Sequence, residues 1–314
     1  MVALPALKKI RIVALPLTRP SGTMLSSGQL GRLTYYQFQI SAKQKQASAS
    51  EKGQVAVDGE AEVEKKGWLP EEGVTNWVSK KAADIWAGFG KAKGGWKLKT
   101  FQLGEKMVDR LEFEELALKS FDPSMGPSIT QLKRSPVLDK KKPTIIPLIY
   151  PPSQLTPSAA LSELSAYTGH RMPRHRRGFF FWMAVAPLTA PFMLIPIVPN
   201  LPFFFCVWRS WSHYRAYKSS QYLHSLLEHR LIVPEASDEL DQVYQTHSIP
   251  PPPLQPSSTA FDTDVPRHAL LLDRDAVPAI LSLLSLKTES TAAADLYRAV
   301  EQARVRVSSG RAQL

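Results

Sequence analysis

The chain has 314 residues, and its 39 lysines and arginines exceed its 28 aspartates and glutamates, which gives a formal net charge of +11. A hydrophobic content of 44% is enough to build a core and excludes a chain that is disordered throughout. The single cysteine, Cys206, excludes a disulfide framework or a cysteine-based zinc site within one chain, and it fits a reducing compartment such as the cytosol or the mitochondrial matrix.

Positive charge is concentrated in the first three quarters of the chain. Residues 1–235 carry 32 basic and 18 acidic residues, whereas residues 236–314 carry 7 basic and 10 acidic residues. Such an excess indicates nucleic acid, an anionic membrane face or organelle import as the reason for the charge. Enzyme motifs are mostly absent, and the glycine-rich residues 88–95 fit neither common phosphate-binding spacing. The protein is therefore predicted not to be an enzyme.

Residues 1–40 are predicted to form a basic N-terminus with one short strand at residues 10–17. Seven basic and no acidic residues among the first 50, together with frequent serine, are typical of a mitochondrial presequence. An ordinary basic N-terminus has the same composition, and both interpretations stay open. Residues 41–66 are polar and low in aromatic side chains, which predicts a disordered insertion.

Residues 67–170 are predicted to combine amphipathic helices with a second strand. Apolar residues recur at helical spacing between residues 74 and 89, and a second helical run continues to about residue 119. Residues 144–150 are the second candidate strand. It is expected to pair with residues 10–17 at a sheet edge, because both segments contain a proline. A short helix is expected over residues 157–167.

The stretch from residue 178 to residue 208 contains 31 residues and no charged side chain. About 20 apolar residues suffice to cross a membrane, so residues 171–234 are predicted to be a membrane hairpin, with a buried core as the alternative. Prolines within the stretch exclude one straight helix. Basic residues flank it on both sides, which places both flanks on the same side of the membrane. The predicted membrane turn consists of Pro199, Asn200 and Pro202.

Aromatic and basic side chains alternate directly after this stretch. The predicted interface residues are Arg209, Trp211, His213 and Arg215. They are expected to contact lipid phosphate or another subunit, and an aromatic belt with arginines reaching the headgroups is the simpler alternative. The same composition also occurs in proteins that bind single-stranded nucleic acid. No catalytic, cofactor-binding or metal-ligating residue is predicted, and His170 and His175 lack a carboxylate close by in the sequence.

The last 80 residues are predicted to fold separately from the hairpin. Residues 235–265 form a proline-rich linker that includes the run IPPPPLQP. Residues 266–314 are expected to form a helical pair, over residues 273–286 and 290–307, that docks or oligomerises. Asp273 is the candidate N-cap of the first helix.

Several segments also carry a resemblance. They are IRIVALPLTR near the start, WLPEEG followed by a tryptophan, LIYPP, the long run FFFWMAVAPLTAPFMLIPIVPNLPFFFCVWRSWSHYRA, and more weakly LYRAVEQAR. With these segments the chain resembles the mitochondrial K⁺–H⁺ exchange-related family of fungal proteins. The resemblance implies a place in the inner mitochondrial membrane and a part in potassium–proton homeostasis, and it transfers no catalytic residue.

The sequence thus predicts a mainly α membrane protein with a small α/β N-terminal region, a proline-kinked membrane hairpin and a C-terminal helical pair. The expected function is participation in potassium/proton exchange at the inner mitochondrial membrane. A supporting factor or an oligomeric component is expected, because the uncharged stretch holds no ionisable group except Cys206. Anionic inner-membrane lipids, other membrane proteins or further copies of the chain are the expected partners. The alternative is a membrane-anchored matrix scaffold that binds ribosomes or nucleic acid.

Overall fold

The computed structural model divides the chain into two compact units. One unit is Gln44–Leu111, and the other combines Met1–Lys43 with Glu112–Leu314. The structure describes residues 9–20, 31–41, 81, 84–121, 123, 126–127, 145–189, 191, 201–250 and 269–309. All of the predicted disordered insertion except residue 41 therefore lies outside the described residues. Of the predicted proline-rich linker, residues 235–250 are described and residues 251–265 are not.

The larger unit is built on a four-stranded mixed sheet. The strands are β1 (Lys9–Pro16), β2 (Thr34–Ser41), β3 (Ile146–Tyr150) and β4 (Ile232–Ala236). Their order in the sheet is β2-β1-β3-β4. Strands β1 and β2 are antiparallel, whereas β1 with β3 and β3 with β4 are parallel.

The predicted pairing of residues 10–17 with residues 144–150 is confirmed, but its predicted edge position is wrong. Strands β1 and β3 are the two central strands. Their pairing starts at Ile12 opposite Leu148, one residue beyond Pro147. The missing N–H of Pro147 therefore falls outside that ladder, and the proline is tolerated in a central strand. Consecutive burial from Ile12 to Leu15 shows that both faces of β1 are covered.

The smaller unit contributes helix α1 (Gly95–Asp109) and a helical segment at residues 84–90. Three aromatic side chains hold these segments together. The ring centroids of Trp86 and Phe101 are 5.4 Å apart, and those of Trp86 and Phe89 are 6.2 Å apart. The second predicted helical run is not continuous to residue 119, because α1 ends at Asp109 and a separate helix, α2 (Phe113–Ser120), follows in the larger unit.

Two long antiparallel helices connect the parallel strands β3 and β4. They are α3 (Pro157–Thr189), of 33 residues, and α4 (Leu201–Glu228), of 28 residues. The short helix predicted over residues 157–167 is only the first third of α3. Pro173 and Pro187 lie inside α3, and Pro202 lies in the first turn of α4, where a missing N–H breaks no helical hydrogen bond.

The C-terminal helices pack on the sheet and are not a separate tail. They are α5 (Asp238–His247), α6 (Val277–Leu283), which follows the 3₁₀ turn Arg274–Ala276, and α7 (Thr291–Ser308). Asp273 caps the 3₁₀ turn, as predicted for the start of this region, and Ser290 caps α7. Leu296 and Val300 of α7 belong to the same hydrophobic core as the strands.

The predicted fold class and the membrane hairpin are wrong. Within the described part of the chain, no helix combines the length and the apolar character required to span a bilayer. Of the uncharged stretch, residues 178–189 belong to the end of α3 and residues 201–208 to the start of α4, and the charged flanks continue the same helices. Pro199 and Asn200 of the predicted turn lie outside the described residues. The fold is instead a mixed α/β arrangement of helices around a four-stranded sheet.

Two adjacent isoleucines test this core. Ile146 of β3 is 1% exposed, whereas Ile145 immediately before the strand is 54% exposed. We expect Ile146→Ala to lower the free energy of unfolding by about 2–5 kcal/mol, because it leaves a cavity between β3 and the helices. Ile145→Ala should change it by less than about 0.5 kcal/mol. Urea unfolding of both variants checks the pair, and equal losses would contradict the placement of β3.

Candidate functional site

Three glutamates mark the start of α2 and provide the acidic half of the site. Glu112 is the N-cap residue, and Glu114 and Glu115 lie in the first helical turn. The position suits negative charge, because the helix dipole is positive at its N-terminus. However, Glu114 and Glu115 are both buried. Buried carboxylates require charged or hydrogen-bonding partners, and these come from three other helices.

Arg171 of α3 is the central partner. Its side chain is fully buried and donates hydrogen bonds to Glu112 and, over 2.9 Å, to Glu114. Glu114 also accepts a 2.6 Å hydrogen bond from Arg306 of α7. Arg174 of α3 reaches Glu112 from the exposed side, at 2.5 Å. These four contacts join α2, α3 and α7 through charge.

Glu112 and Arg171 are held in their charged forms. Burial acts to raise the pKa of Glu112, but the positive charges of Arg171 and Arg174 outweigh it and lower the pKa below its usual value. Burial acts to lower the pKa of Arg171, but Glu114 and Glu112 raise it. Both shifts favour an ionised pair, so the contact between Arg171 and Glu112 is a salt bridge and not a neutral hydrogen bond.

Glu115 links α2 to α4 in the same way. Arg209 donates to both of its carboxylate oxygens, and its contact with Oε2 is 3.0 Å long. The hydroxyl of Ser212 donates to Oε1 over 2.8 Å. Burial acts to raise the pKa of Glu115, but the hydrogen bond and the charge of Arg209 lower it overall. Glu115 is therefore a fixed anion within the helical core.

Two histidines lie beside Glu115. His175 of α3 and His213 of α4 are both buried, and their Nδ1 atoms are 3.1 Å apart. Among the described residues, Nε2 of His175 has no hydrogen-bond partner. Burial lowers the pKa of His175 to about 4 and also lowers the pKa of His213, so both rings are neutral at neutral pH. One ligand atom from each of Glu115, His175 and His213 lies within 4.8 Å of the others.

The predicted interface residues fall into two groups. Arg209 and His213, one helical turn apart, both face Glu115. Trp211 lies on the outside of α4 and is stacked on Tyr214, with ring centroids 5.5 Å apart. Arg215 is half-buried. The structure thus brings two of the four together at one site.

Sequence reasoning missed Glu112, Glu114, Arg171 and Arg306, although one signal was present. No acidic residue occurs between Glu163 and Glu228, a segment rich in arginine. Any arginine buried in that segment must therefore find its carboxylate elsewhere in the chain. The closely spaced glutamates of residues 112–115 form one of the acidic clusters that the sequence offers.

The far ends of α3 and α4 carry exposed apolar side chains. This surface, called the apolar end below, consists of Phe180, Phe181, Met183, Leu188, Phe204 and Val207. The antiparallel packing of the two helices puts these residues at similar levels along the pair, as the contact of Trp182 with Phe205 shows. Arg176 and Arg177, both exposed, lie about one helical turn before it on α3. Large exposed apolar patches usually mark a contact with a partner or a membrane.

Comparisons with known proteins agree with the resemblance. A family model described as mitochondrial K⁺–H⁺ exchange-related matches residues 11–227. An uncharacterized protein of Saccharomyces cerevisiae is 23% identical over 167 residues, covering 48% of this chain and 52% of the relative. An uncharacterized protein of Schizosaccharomyces pombe is 25% identical over 158 residues, covering 50% of this chain and 64% of the relative. The chain thus matches between half and two thirds of the length of these relatives. No solved structure matches it significantly.

The ion-pair network leads to a stability prediction. Arg171→Met removes the buried guanidinium and leaves carboxylates of Glu112 and Glu114 incompletely paired. We expect a loss of about 3–5 kcal/mol in the free energy of unfolding, as is usual when one partner of a buried pair is removed. Arg176→Met, an exposed position on the same helix, is the matched control and should be nearly neutral. Urea unfolding distinguishes the two, and a silent Arg171→Met would contradict the proposed importance of the network.

A pair of glycines in α3 tests the close packing beside the histidines. A Cβ added at Gly178 would lie 2.8 Å from ring atoms of His213, whereas a Cβ at Gly169 would meet nothing within 4 Å. We expect Gly178→Ala to destabilise the protein by about 1–3 kcal/mol through overpacking. Gly169→Ala should stabilise it by roughly 0.5–1 kcal/mol, because alanine is the better helix former. Thermal unfolding of both variants measures the sign, and stabilisation by both would refute the close approach.

Proposed function

The chain belongs to the mitochondrial K⁺–H⁺ exchange-related family, and from this premise we propose that it takes part in potassium–proton exchange at the inner mitochondrial membrane. We propose the role of a supporting factor for that exchange. The family match over residues 11–227 is the observation that carries the proposal. The proposed role requires no chemical step on a substrate and is therefore not enzymatic.

The buried histidines and the paired arginines are in favour of a factor that assists a transporter. A residue that carries protons in each transport cycle must titrate near the pH of the matrix. The pKa of His175 is lowered to about 4, and the pKa of His213 is also lowered. The arginines beside them are paired with glutamates. These groups hold the helices in place, which suits a protein that assists a transporter better than one that moves protons itself.

The apolar end supports a contact with the inner membrane. The exposed Phe180 and Phe181 lie four residues, or about one helical turn, after the exposed Arg176 and Arg177 on α3. Apolar side chains inserted at the headgroup level and arginines near anionic lipid phosphates act together in proteins that bind membrane surfaces. We propose that the apolar end docks on the anionic lipid surface of the inner membrane.

Potassium-acetate swelling of isolated mitochondria tests the function. We expect mitochondria without the protein to swell more slowly, because proton-coupled potassium movement is impaired, and the full chain to restore the rate. Normal swelling without the protein would refute the proposal. If the protein instead sediments with ribosomes or RNA with a steep dependence on salt, while swelling is normal, the matrix-scaffold alternative is correct.

Flotation with lipid vesicles tests the docking surface separately. The double variant Phe180→Ser with Phe181→Ser should lose at least about tenfold in affinity for vesicles that contain anionic lipid, since it removes two exposed phenylalanine rings that would be buried against lipid. Val305→Ser with Val233→Ser is the matched control, because it also replaces two exposed apolar side chains, but outside the apolar end. Val305 on α7 is 52% exposed, which is close to the 60% of Phe181. The control should bind as the natural chain does. Equal binding by both double variants would show that the apolar end is not the membrane contact.

A further inference from the structure

The cluster of Glu115, His175 and His213 joins three helices, and it has chemistry that the proposed transport role does not use. The three residues come from α2, α3 and α4, and one ligand atom from each lies within 4.8 Å of the others. We propose that these three side chains bind a divalent transition-metal cation, with zinc as the best match. The inference goes beyond the proposed function, because it concerns a cation other than potassium.

The distance between the histidines fits this class of metal. Two nitrogen ligands at tetrahedral zinc, each about 2.0–2.1 Å from the metal, are roughly 3.3 Å apart. The Nδ1 atoms of His175 and His213 are 3.1 Å apart. Two imidazoles and one carboxylate, with a position left for water, are a ligand set known for zinc. Imidazole nitrogen is a poor ligand for potassium, which prefers oxygen, so the donor set selects a transition metal.

His175 has few contacts within the protein that a metal would have to replace. Its side chain is buried, and Nε2 has no partner among the described residues. In a neutral imidazole one nitrogen donates a hydrogen bond and the other accepts one. Among the described residues, the contact of Nδ1 with His213 is the only hydrogen bond of this ring. Metal ligation through Nδ1 would therefore replace that one contact and break no other.

Glu115 can serve as the third ligand while keeping its other contacts. A carboxylate has about four acceptor positions. Arg209 occupies two of them and Ser212 occupies one, which leaves one free for a metal. Hydrogen bonds of this kind orient metal ligands in many proteins. The positive charge of Arg209 opposes a cation, so binding should depend on both histidines and not on the carboxylate alone.

Titration of the purified full chain with zinc chloride, after treatment with a chelator, tests the site. We expect saturable binding of one zinc ion per chain, and cobalt chloride should give the visible absorption of tetrahedral cobalt. His175→Gln and His213→Gln should each weaken zinc binding by at least about tenfold. His170→Ala, at an exposed histidine on the same helix α3, is the matched control and should bind as the natural chain does.

X-ray absorption on the zinc-loaded natural chain identifies the zinc ligands even if the histidine variants do not fold. Two imidazole ligands and an oxygen ligand at zinc would support the proposal, as would zinc binding that excess potassium chloride does not reduce. No saturable binding, a coordination shell without imidazole, or full binding in both folded histidine variants would overturn it. None of these outcomes depends on mitochondrial swelling, so the metal site and the transport role succeed or fail independently.

Discussion

The helical part of this protein depends on the ion pairs of the buried Arg171 guanidinium with Glu112 and Glu114. A fully buried charge is strongly destabilising unless it is paired, and here Glu112 and Glu114 supply the pairing from α2. Arg306 then completes the charge balance of Glu114 from α7. Because an unpaired partner would be left in the core, α2, α3 and α7 cannot shift independently of one another. Apolar packing alone would fix the relative position of these three helices much less strictly.

The position of the histidine pair follows from this arrangement. Arg209 binds Glu115 and thereby fixes α4 against α2, just as Arg171 fixes α3. His175 and His213 project from these two fixed helices and meet at 3.1 Å. Gly178 permits the helices to approach, since any side chain there would contact the ring of His213. The ion pairs are therefore the framework, and the histidines are the groups that remain available to an additional ligand.

The same two helices carry two different kinds of chemistry along their length. Near the sheet and α2 they bury charged and histidine side chains, whereas their far ends expose phenylalanines and leucine to the surroundings. The end of the helix pair near the sheet makes contacts within the protein, and the far end exposes an apolar surface beside arginines. This division agrees with a protein that is held together by its charged residues and meets its partner, which we propose to be a lipid surface, through its apolar ones.

The sequence by itself determined the presence of strands β1 and β3 to within two residues at each end, the helical character of most of the C-terminal half, and the family. These depend on local patterns, such as β-branched runs and capping residues, or on direct similarity. Only the tertiary structure decided that residues 178–189 end α3 and residues 201–208 begin α4, that β2 and the proline-containing β4 complete the sheet, and that Arg171 meets Glu114, 57 residues away. Periodicity reports which residues share a face of one element. It carries no information on which distant element covers that face, and burial of a charge is decided by that element alone.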